Sequence, residues 1–372
     1  MGEAKIKVLF VITGLGIGGA ERQVLDVSDR LSMRGHQVQI AYLVGPARLL
    51  PNNPNIKVVH IGISKNLVGF SHGYLRLRRL ISDFKPDVVH SHMVHANLLA
   101  RLVRLTTKIP KLICTAHNTN EGGRLRMFAY RLTDSLADIS TNVSQEAVAA
   151  FEANGATPFG RMLAIHNGIN TQKFSPNREI RNCYRNRFGS EYEKIILAVG
   201  RLSEQKDYPT LLNAFTKISM KTKNIKLWII GDGPLRESLK SLASNLGLGE
   251  RVTFLGIRSD DEIPCFMRAS DIFVLSSAWE GFGLVVAEAM ATEKIVIATD
   301  SGGVREVLGD SGLLVPPQDS DALAEALEKA LNMPPKQARE LGEKARQRII
   351  EKYGLDSVID KWLEIYSVTL QR

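Results

Sequence analysis

Two glutamates, Glu280 and Glu288, flank the glycine-rich run Gly281-Phe282-Gly283-Leu284. Because glycine is a poor helix former, we expect Glu280 to lie in a loop and a helix to begin near Gly283, with Glu288 in its second turn. The free amides and positive dipole at the start of such a helix favour an anion. Helical rise would separate the two carboxylates by about 12 Å, too far to share a proton or a metal ion. This spacing suits two carboxylates that bind hydroxyl-rich groups on either side of a diphosphate. The alternative is that both are surface glutamates of a capped helix.

A basic pair, Arg201 and Lys206, follows the apolar run at 194–199, with Gly200 directly before Arg201. In an open α/β sheet, ligands bind at the carboxyl ends of the strands. Arg201 and Lys206 are therefore placed to neutralise phosphate charge, the first as a planar fork and the second as a point charge. A solvated basic turn is the alternative interpretation.

A glycine-rich turn lies near the amino terminus, where Gly14, Gly16 and Gly19 fit the spacing GxGxxG. Such glycines let backbone amides and a helix start approach a phosphate. A dinucleotide site also needs an acidic residue at the end of the second strand. The chain has no acidic residue between Asp29 and Asp83, so the pattern does not favour an NAD site. A turn required only for close packing is the other alternative.

Four of the eight histidines lie between positions 90 and 117, namely His90, His92, His95 and His117. We expect His90 and His92, at a strand end, to face opposite sides of the sheet. Zinc needs three or four converging ligands, which this spacing does not suggest. His117, at the end of another predicted strand, is the better candidate for a functional group, and a buried structural histidine is the alternative.

Two series of short apolar runs must position these residues. Such runs, bounded by turn residues, are typical of buried parallel strands, and they alternate with amphipathic helices. The first series of predicted strands is 6–13, 38–44, 57–61, 88–91, 111–116 and 139–143, with helices at 21–34 and 70–84. The second is 194–199, 227–230, 252–254, 272–275, 295–298 and 312–315. The charged, Asn-rich stretch at 167–187 is typical of a linker, and 355–370 of a lone amphipathic helix. The sequence predicts two Rossmann-like domains, 1–170 and 171–354, joined by a hinge.

Composition and charge narrow the class of protein. With 372 residues, 44% hydrophobic and 23% charged, the chain has the composition of a folded globular protein. Three distant cysteines indicate neither a metal knuckle nor full disulfide pairing, which favours a reducing cytoplasm. Residues 1–170 hold 20 Lys and Arg against 11 Asp and Glu, whereas 171–372 hold 28 of each. The first half is therefore expected to meet something negative. The apolar run after Lys7 is too short for a signal peptide, and we expect no membrane span.

Taken together, the motifs resemble those of retaining glycosyltransferases of family 4. The resemblance covers residues 6 to about 355, and the Glu280-x7-Glu288 spacing with its glycines is its most specific part. The motifs that carry it, in chain order, are Gly16-Ile-Gly18-Gly19-Ala20-Glu21, Thr115-Ala-His117, Ile165-His-Asn167-Gly168-Ile169, Gly200-Arg201 with Lys206, Gly231-Asp-Gly233-Pro234, Phe254-Leu-Gly256 and Glu280-x7-Glu288. It implies the GT-B fold, in which two Rossmann-like domains enclose a nucleotide-sugar cleft and the C-terminal helix, 355–372, crosses back to the first domain.

The resemblance also implies roles for individual residues. Arg201 and Lys206 would bind the donor diphosphate, Glu288 the ribose, and Glu280 with the amides of Gly281, Phe282, Gly283 and Leu284 the donor sugar. The backbone of Ile257 would contact the base, Gly18 and Gly19 would close over the phosphate, and Gly16 in the same turn would also bind the donor. His117 would touch the sugar near the reacting carbon.

This family implies catalysis without a cofactor or metal ion. Cationic groups at the diphosphate would stabilise the leaving group as the sugar becomes oxocarbenium-like. The one Asp-x-Asp triplet of the chain, Asp319-Ser-Asp321, follows two prolines and is interpreted as a helix cap, not as a metal motif. No carboxylate stands out as a covalent nucleophile, which fits front-face retention.

The acceptor is inferred from the basic first domain. Arginines on two predicted helices, with apolar neighbours on the second, suit an anionic membrane face and a lipid diphosphate, although ordinary solvated helix faces are the alternative. The residues are Arg76, Arg78, Arg79, Arg124, Arg126 and Arg131, beside Leu125, Met127, Phe128 and Tyr130. From the resemblance we expect an O-antigen enzyme at the inner face of the cytoplasmic membrane. It would transfer an N-acetylhexosamine, such as N-acetylgalactosamine, from a UDP-sugar to an undecaprenyl-diphosphate-linked saccharide.

Three other functions each match part of the sequence. An NAD(P)-dependent oxidoreductase would need an acidic residue at the end of the second strand, which this chain does not have. It also would not explain a second phosphate-binding domain. A UDP-sugar 2-epimerase of the same fold would use the same cleft but needs acid and base residues around the sugar. A nucleic-acid-binding protein is suggested only by charge, without a recognised motif.

Overall fold

The computed structural model describes residues 5–64, 66–119, 121–188 and 193–367. The chain forms two compact units. The described residues of Met1–Gly168 and Leu355–Arg372 form the first unit, and those of Ile169–Gly354 form the second.

The first unit is built on a parallel sheet of seven strands among its described residues, in the order β3-β2-β1-β4-β5-β6-β7. The strands are β1 (Lys7–Ile12), β2 (Gln37–Tyr42), β3 (Lys57–His60), β4 (Val88–His92), β5 (Lys111–Ala116), β6 (Ile139–Asn142) and β7 (Met162–Ala164). The helices are α1 (Gly19–Met33), α2 (Leu67–Phe84), α3 (Val94–Arg104), α4 (Arg124–Thr133) and α5 (Gln145–Ala153), with a short 3-10 helix at Asp134–Leu136. Strand order reverses between β1 and β4, the position where open sheets of this kind bind ligands.

The second unit repeats this architecture with six described strands, in the order β10-β9-β8-β11-β12-β13. They are β8 (Lys194–Val199), β9 (Ile225–Ile230), β10 (Val252–Gly256), β11 (Ile272–Leu275), β12 (Ile295–Thr299) and β13 (Leu313–Val315). The helices are α6 (Arg178–Arg187), α7 (Tyr208–Lys221), α8 (Arg236–Asn245), α9 (Glu262–Ala269), α10 (Leu284–Ala291), α11 (Val304–Leu308), α12 (Ser320–Leu331) and α13 (Pro335–Tyr353), with 3-10 helices at Glu204–Lys206 and Gly249–Arg251. The prediction of two Rossmann-like parallel sheets is confirmed.

The last helix, α14 (Leu355–Ser367), belongs to the first unit. Its apolar residues join the core between α1 and the sheet, where Trp362 and Tyr366 are buried. Arg34 at the end of α1 forms ion pairs with Asp356 and Asp360 on α14. These ion pairs and the buried apolar residues hold α14 against the first domain, as the family resemblance implies. The predicted end of the helix, 368–370, lies outside the described residues.

The prediction of a linker over 167–187 is wrong in its second half, because Arg178–Arg187 forms α6. Arg181 and Arg185 both bind the carboxylate of Asp271, at 2.6 and 3.1 Å. Although burial opposes the charge of Asp271, the two guanidinium groups keep its pKa below the usual value. The charges that suggested a solvated linker instead attach this helix to the second unit.

Candidate active site

Two glycine-containing turns at the ends of β8 and β9 pack backbone against backbone. Gly200 N–H donates to the Ile230 carbonyl at 3.0 Å, and Leu202 N–H donates to the Asp232 carbonyl at 3.0 Å. Gly231 has a positive φ of 139°, and a Cβ there would overlap the Gly200 carbonyl oxygen. Only glycine permits this approach. The packed turns present Arg201, whose side chain is exposed, at the carboxyl edge of the sheet.

Lys206 ends the short helix that follows this turn, and its ammonium group forms an ion pair with the Glu280 carboxylate. The same carboxylate oxygen, Oε1, accepts a 2.7 Å hydrogen bond from Ser277 Oγ. Ser276 Oγ donates to the Lys206 carbonyl at 2.8 Å, which connects the two segments a second time. The structure thus brings together Lys206 and Glu280, which the sequence analysis assigned separately to phosphate and to sugar.

The backbone around Glu280 is supported from β12 by residues that the sequence analysis missed. Gly302, just beyond β12, has a φ of 58°, and a Cβ at this position would overlap the Glu280 carbonyl oxygen. Thr299 Oγ1 donates to the Ser277 carbonyl at 2.6 Å. The adjacent glycines Gly302 and Gly303 after a predicted strand are the signal that could have identified this support.

The glycine-rich run leads into α10 as the sequence predicts. Gly283, at a φ of 81°, precedes the first helical residue, Leu284. Phe282 is buried and packs on Tyr353, with ring centroids 5.6 Å apart, so it anchors the loop. Glu288 lies in the second turn of α10 and is buried. Ile257 follows β10 and is 53% exposed, next to Gly256, whose carbonyl accepts from Gly231 N–H at 2.9 Å.

In the first unit, the carboxylate of Glu21 lies against the glycine turn that precedes α1. Gly18 precedes α1, and the Glu21 side chain folds back from the first turn of that helix to lie beside Gly16 and Gly18. Burial raises the pKa of Glu21 above its usual value. The helix start that was assigned to a donor phosphate through Gly16, Gly18 and Gly19 is therefore covered by this acidic side chain.

His117 follows β5 and contacts His92 at the end of β4, with His92 Nδ1 and His117 Nε2 separated by 3.0 Å. Burial lowers the pKa of His117 to about 4 and places the pKa of His92 well below 6.5. The His117 backbone N–H donates to Glu121 Oε1 at 3.0 Å. Both imidazoles are therefore neutral near pH 7, which allows each to donate one hydrogen bond and accept one.

The expectation that His90 and His92 face opposite sides is wrong. Both are buried, and their ring centroids lie 4.1 Å apart. Residues two apart in a strand share a face, so only Ser91 points the other way. His90 is bonded on both sides, to Tyr366 and to Thr115, each at 2.7 Å. Within the described ranges, no group of three or more His, Cys, Asp or Glu side chains could hold a metal ion.

The arginines predicted to form a basic surface are exposed on α2 and α4, but two of the apolar residues beside them are not. Met127 and Tyr130 are buried in the core. Leu125, Phe128 and Leu132 are 87%, 60% and 65% exposed, and they form a stripe along one side of α4. Arg124 and Arg131 are exposed on the same helix, while Arg126 donates to the Glu121 carbonyl at 3.0 Å. On α2, Arg76 donates to the Ile61 carbonyl and Arg79 pairs with Asp83 at 3.7 Å. In the part of the chain that is described, no helix is both long and apolar enough to cross a bilayer.

The Asp-x-Asp triplet is a helix cap, as predicted. Asp319 accepts hydrogen bonds from the backbone N–H groups of Asp321 and Ala322 at 3.0 and 2.9 Å. The Asp321 carboxylate pairs with Lys217 on α7. Both acidic side chains therefore serve the packing of α12.

Models of known protein families match both halves of the chain. Residues 17–173 match the model described as Glycosyltransferase Family 4, and residues 181–348 match the model described as Glycosyl transferases group 1. The chain is 29% identical over 309 residues to the putative glycosyltransferase EpsD of Bacillus subtilis, covering 79% of this chain and 80% of that one. It is 25% identical over 367 residues to the N-acetyl-alpha-D-glucosaminyl L-malate synthase of Bacillus anthracis, covering 94% of each. The crystal structure of Anabaena Alr3699/HepE in complex with UDP and glucose superposes with a TM-score of 0.87 at 21% identity, covering 97% of this chain and 99% of that one.

Proposed function

We propose that this chain, a glycosyltransferase of the GT-B type, uses a UDP-sugar donor and retains the anomeric configuration. The arrangement of Lys206, Ser277 and Glu280 beside the start of α10 carries the proposal, because it joins a cation, a buried carboxylate and helix amides at one sheet edge. Cations and amides suit a diphosphate, and a buried carboxylate suits sugar hydroxyls. The UDP held by the Anabaena neighbour supports uracil as the base.

The chemistry assigned to these residues is leaving-group stabilisation. As the bond from the sugar to the diphosphate breaks, negative charge grows on the phosphate oxygen, and fixed cations lower the free energy of that state. Arg201 is exposed and available to the phosphates. Lys206 has three N–H donors, so it can bind a phosphate oxygen while it stays paired with Glu280. Glu280 and Glu288 are proposed to bind sugar and ribose hydroxyls, and His117 to contact the sugar.

We propose that the reaction requires no metal ion. The support is that Asp319 and Asp321, the acidic pair that could have been a metal motif, are occupied as a helix cap and in an ion pair. Chelation with EDTA is therefore expected to leave turnover unchanged, and loss of turnover that Mg²⁺ or Mn²⁺ restores would refute this part.

The proposed donor sugar is an N-acetylhexosamine, with N-acetylgalactosamine as the first choice. The relative from Bacillus anthracis, named for an N-acetyl-glucosaminyl product, supports the class of sugar. A thermal-shift screen of UDP-, GDP- and ADP-sugars tests the donor, since a ligand that binds the folded state raises the apparent Tm. NMR of the product's anomeric proton tests retention. Stabilisation by GDP- or ADP-sugars alone, or an inverted product, would overturn the assignment.

The proposed acceptor is a saccharide linked to undecaprenyl diphosphate at the inner face of the cytoplasmic membrane, as in O-antigen synthesis. The exposed stripe of Leu125, Phe128 and Leu132 beside Arg124 and Arg131 supports a peripheral membrane contact, because apolar and cationic side chains together bind anionic interfaces. Co-sedimentation with anionic liposomes at low salt tests the contact. Equal recovery in the pellet with neutral liposomes, or none with either, would contradict it.

A further inference from the structure

The hydrogen bond between His92 and His117 couples the tautomers of the two rings. One proton lies between His92 Nδ1 and His117 Nε2, which are 3.0 Å apart. If His92 donates it, His117 carries its own proton on Nδ1. If His117 donates it, its Nδ1 becomes an acceptor. The direction of this one bond therefore decides what His117 offers a substrate.

A second observation indicates the direction. His92 Nε2 and Gln23 Nε2 are buried, with no hydrogen-bond partner among the residues described, and both side chains line one small cavity beside Trp362. Gln23 Oε1 accepts from Gly168 N–H at 3.1 Å. A backbone N–H can only donate, so this bond fixes the orientation of the amide, and Gln23 Nε2 is a donor only. Because Gln23 offers this cavity only a donor, His92 Nε2 complements it as an acceptor, through one water that accepts from Gln23 and donates to His92.

We propose that His92 is a positioning residue that holds His117 as the Nδ1–H tautomer, with Gln23 and one bound water orienting His92. The proton on His92 is then on Nδ1 and points to His117 Nε2, which accepts it. His117 Nδ1–H is left as a donor for a substrate oxygen. This inference rests on the proposed function only where His117 contacts the sugar, since the tautomers themselves are a property of the free protein.

The adjacent His90 shows why the role belongs to His92. His90 has partners on both ring nitrogens, the Tyr366 hydroxyl and Thr115 Oγ1, and the latter lies 2.7 Å from Thr141 Oγ1. These contacts fix His90 within the core below α14. Neither of its nitrogens is bonded to His117, so Tyr366→Phe provides a control that alters a neighbouring histidine and spares the pair.

The first experiment is long-range ¹H–¹⁵N NMR of the histidine side chains in the full-length protein near pH 7.5. We expect His117 and His92 both as Nδ1–H tautomers, and His92 is expected to lose this preference in Gln23→Leu. His117 as the Nε2–H tautomer would overturn the proposal. This measurement needs no substrate, so it stands even if every donor tested fails.

The second experiment separates a positioning role from a purely structural one. His92→Leu is expected to lower kcat roughly 10- to 100-fold, the range known for residues that orient histidine ligands of metal ions, with little change in the KM for donor. His92→Asn keeps an N–H donor near the position of Nδ1, and we expect it to recover most of the loss. Tyr366→Phe should leave kcat unchanged. Equal kcat in His92→Leu and the wild type would refute the proposal, whereas an inactive wild type would instead count against the proposed function.

Discussion

The carboxylate of Glu280 lies between Lys206 and Ser277, and one oxygen, Oε1, accepts from both. These three residues come from the ends of neighbouring strands, β8 and β11, and Lys206 is 74 positions from Glu280 in the chain. Tyr208, next to this pair, has its pKa raised by burial and by the charge of Glu280. The ion pair is thus enclosed by the second unit, and its two members should respond together to substitution.

Removing either cation is expected to reduce turnover far more than acceptor binding. Arg201→Ala and Lys206→Ala should each lower kcat by about 100- to 1000-fold, the range for one donor at a developing negative charge. The KM for acceptor should change little. Steady-state kinetics with the best donor from the thermal-shift screen provides the measurement.

The two variants should differ in stability. Lys206→Ala leaves the buried Glu280 carboxylate without its cation, and urea unfolding should show a loss of about 3 kcal/mol. Arg201 is exposed, so Arg201→Ala should unfold like the wild type. Lys221→Ala, which breaks an exposed pair with Glu328 on the same unit, is the matched control for both measurements. Full activity in Arg201→Ala or Lys206→Ala would contradict the assigned site.

Gly302→Ala is expected to displace the Glu280 loop and lower kcat. The new methyl group would overlap the Glu280 carbonyl oxygen, and the positive φ of 58° adds strain. Gly247→Ala has a similar φ of 68° with no neighbouring atom within 4 Å, so it supplies the strain without the clash. Both should lose about 1 kcal/mol of stability to strain, Gly302→Ala should lose more because of the overlap, and only Gly302→Ala should lose activity. Equal activity in the two variants would show that the backbone at Gly302 does not support the site.

Replacing the stripe on α4 with serine is expected to weaken membrane binding. Each of Leu125, Phe128 and Leu132 would contribute about 1.5 kcal/mol or more if it were buried in lipid. The triple variant should therefore remain in the supernatant after liposome sedimentation, with donor binding unchanged. Met220→Ser, which removes an exposed apolar side chain from the second unit, should sediment like the wild type. Unchanged sedimentation of the triple variant would assign the stripe to another partner.

Acid is expected to destabilise the first unit between about pH 6.5 and 4. Burial lowers the pKa of His90 to about 3 and that of His117 to about 4, and it lowers that of His92 as well. Below about pH 6.5 the unfolded chain binds protons at these positions and the folded chain does not, so stability falls as pH falls. Each histidine should contribute a slope of about 1 kcal/mol per pH unit.

Urea unfolding of wild type and His90→Gln at pH 7.5 and 5.5 measures this slope. The variant should start less stable, because it alters buried hydrogen bonds, but it should lose less on acidification. His72→Gln, at an exposed position on α2, is the control and should follow the wild type. An identical slope in His90→Gln and the wild type would show that His90 is not buried as a neutral imidazole.

The alternation of apolar runs with amphipathic segments, together with the positions of the glycines, was sufficient to predict most of the fold. Short apolar runs that are rich in β-branched residues and bounded by turn residues are typical of buried strands, so twelve of the strands could be predicted within a few residues. The seventh strand of the first unit, Met162–Ala164, was missed because its three residues include no β-branched or aromatic side chain. The helix Arg178–Arg187 was missed because its arginines look solvated in the sequence, whereas their partner Asp271 is about 90 residues away.

The sequence by itself determined the two parallel sheets and the residues at their carboxyl edges, because periodicity and strand ends are local properties. It also pointed to Arg201, Lys206, Glu280, Glu288 and His117. Only the tertiary structure decided which of these meet. It paired Lys206 with Glu280, covered the first glycine turn with Glu21, and joined His92 to His117 above a core closed by α14. The reason is physical: a hydrogen bond or ion pair depends on distances that the packing of remote strands sets, and no local pattern encodes them.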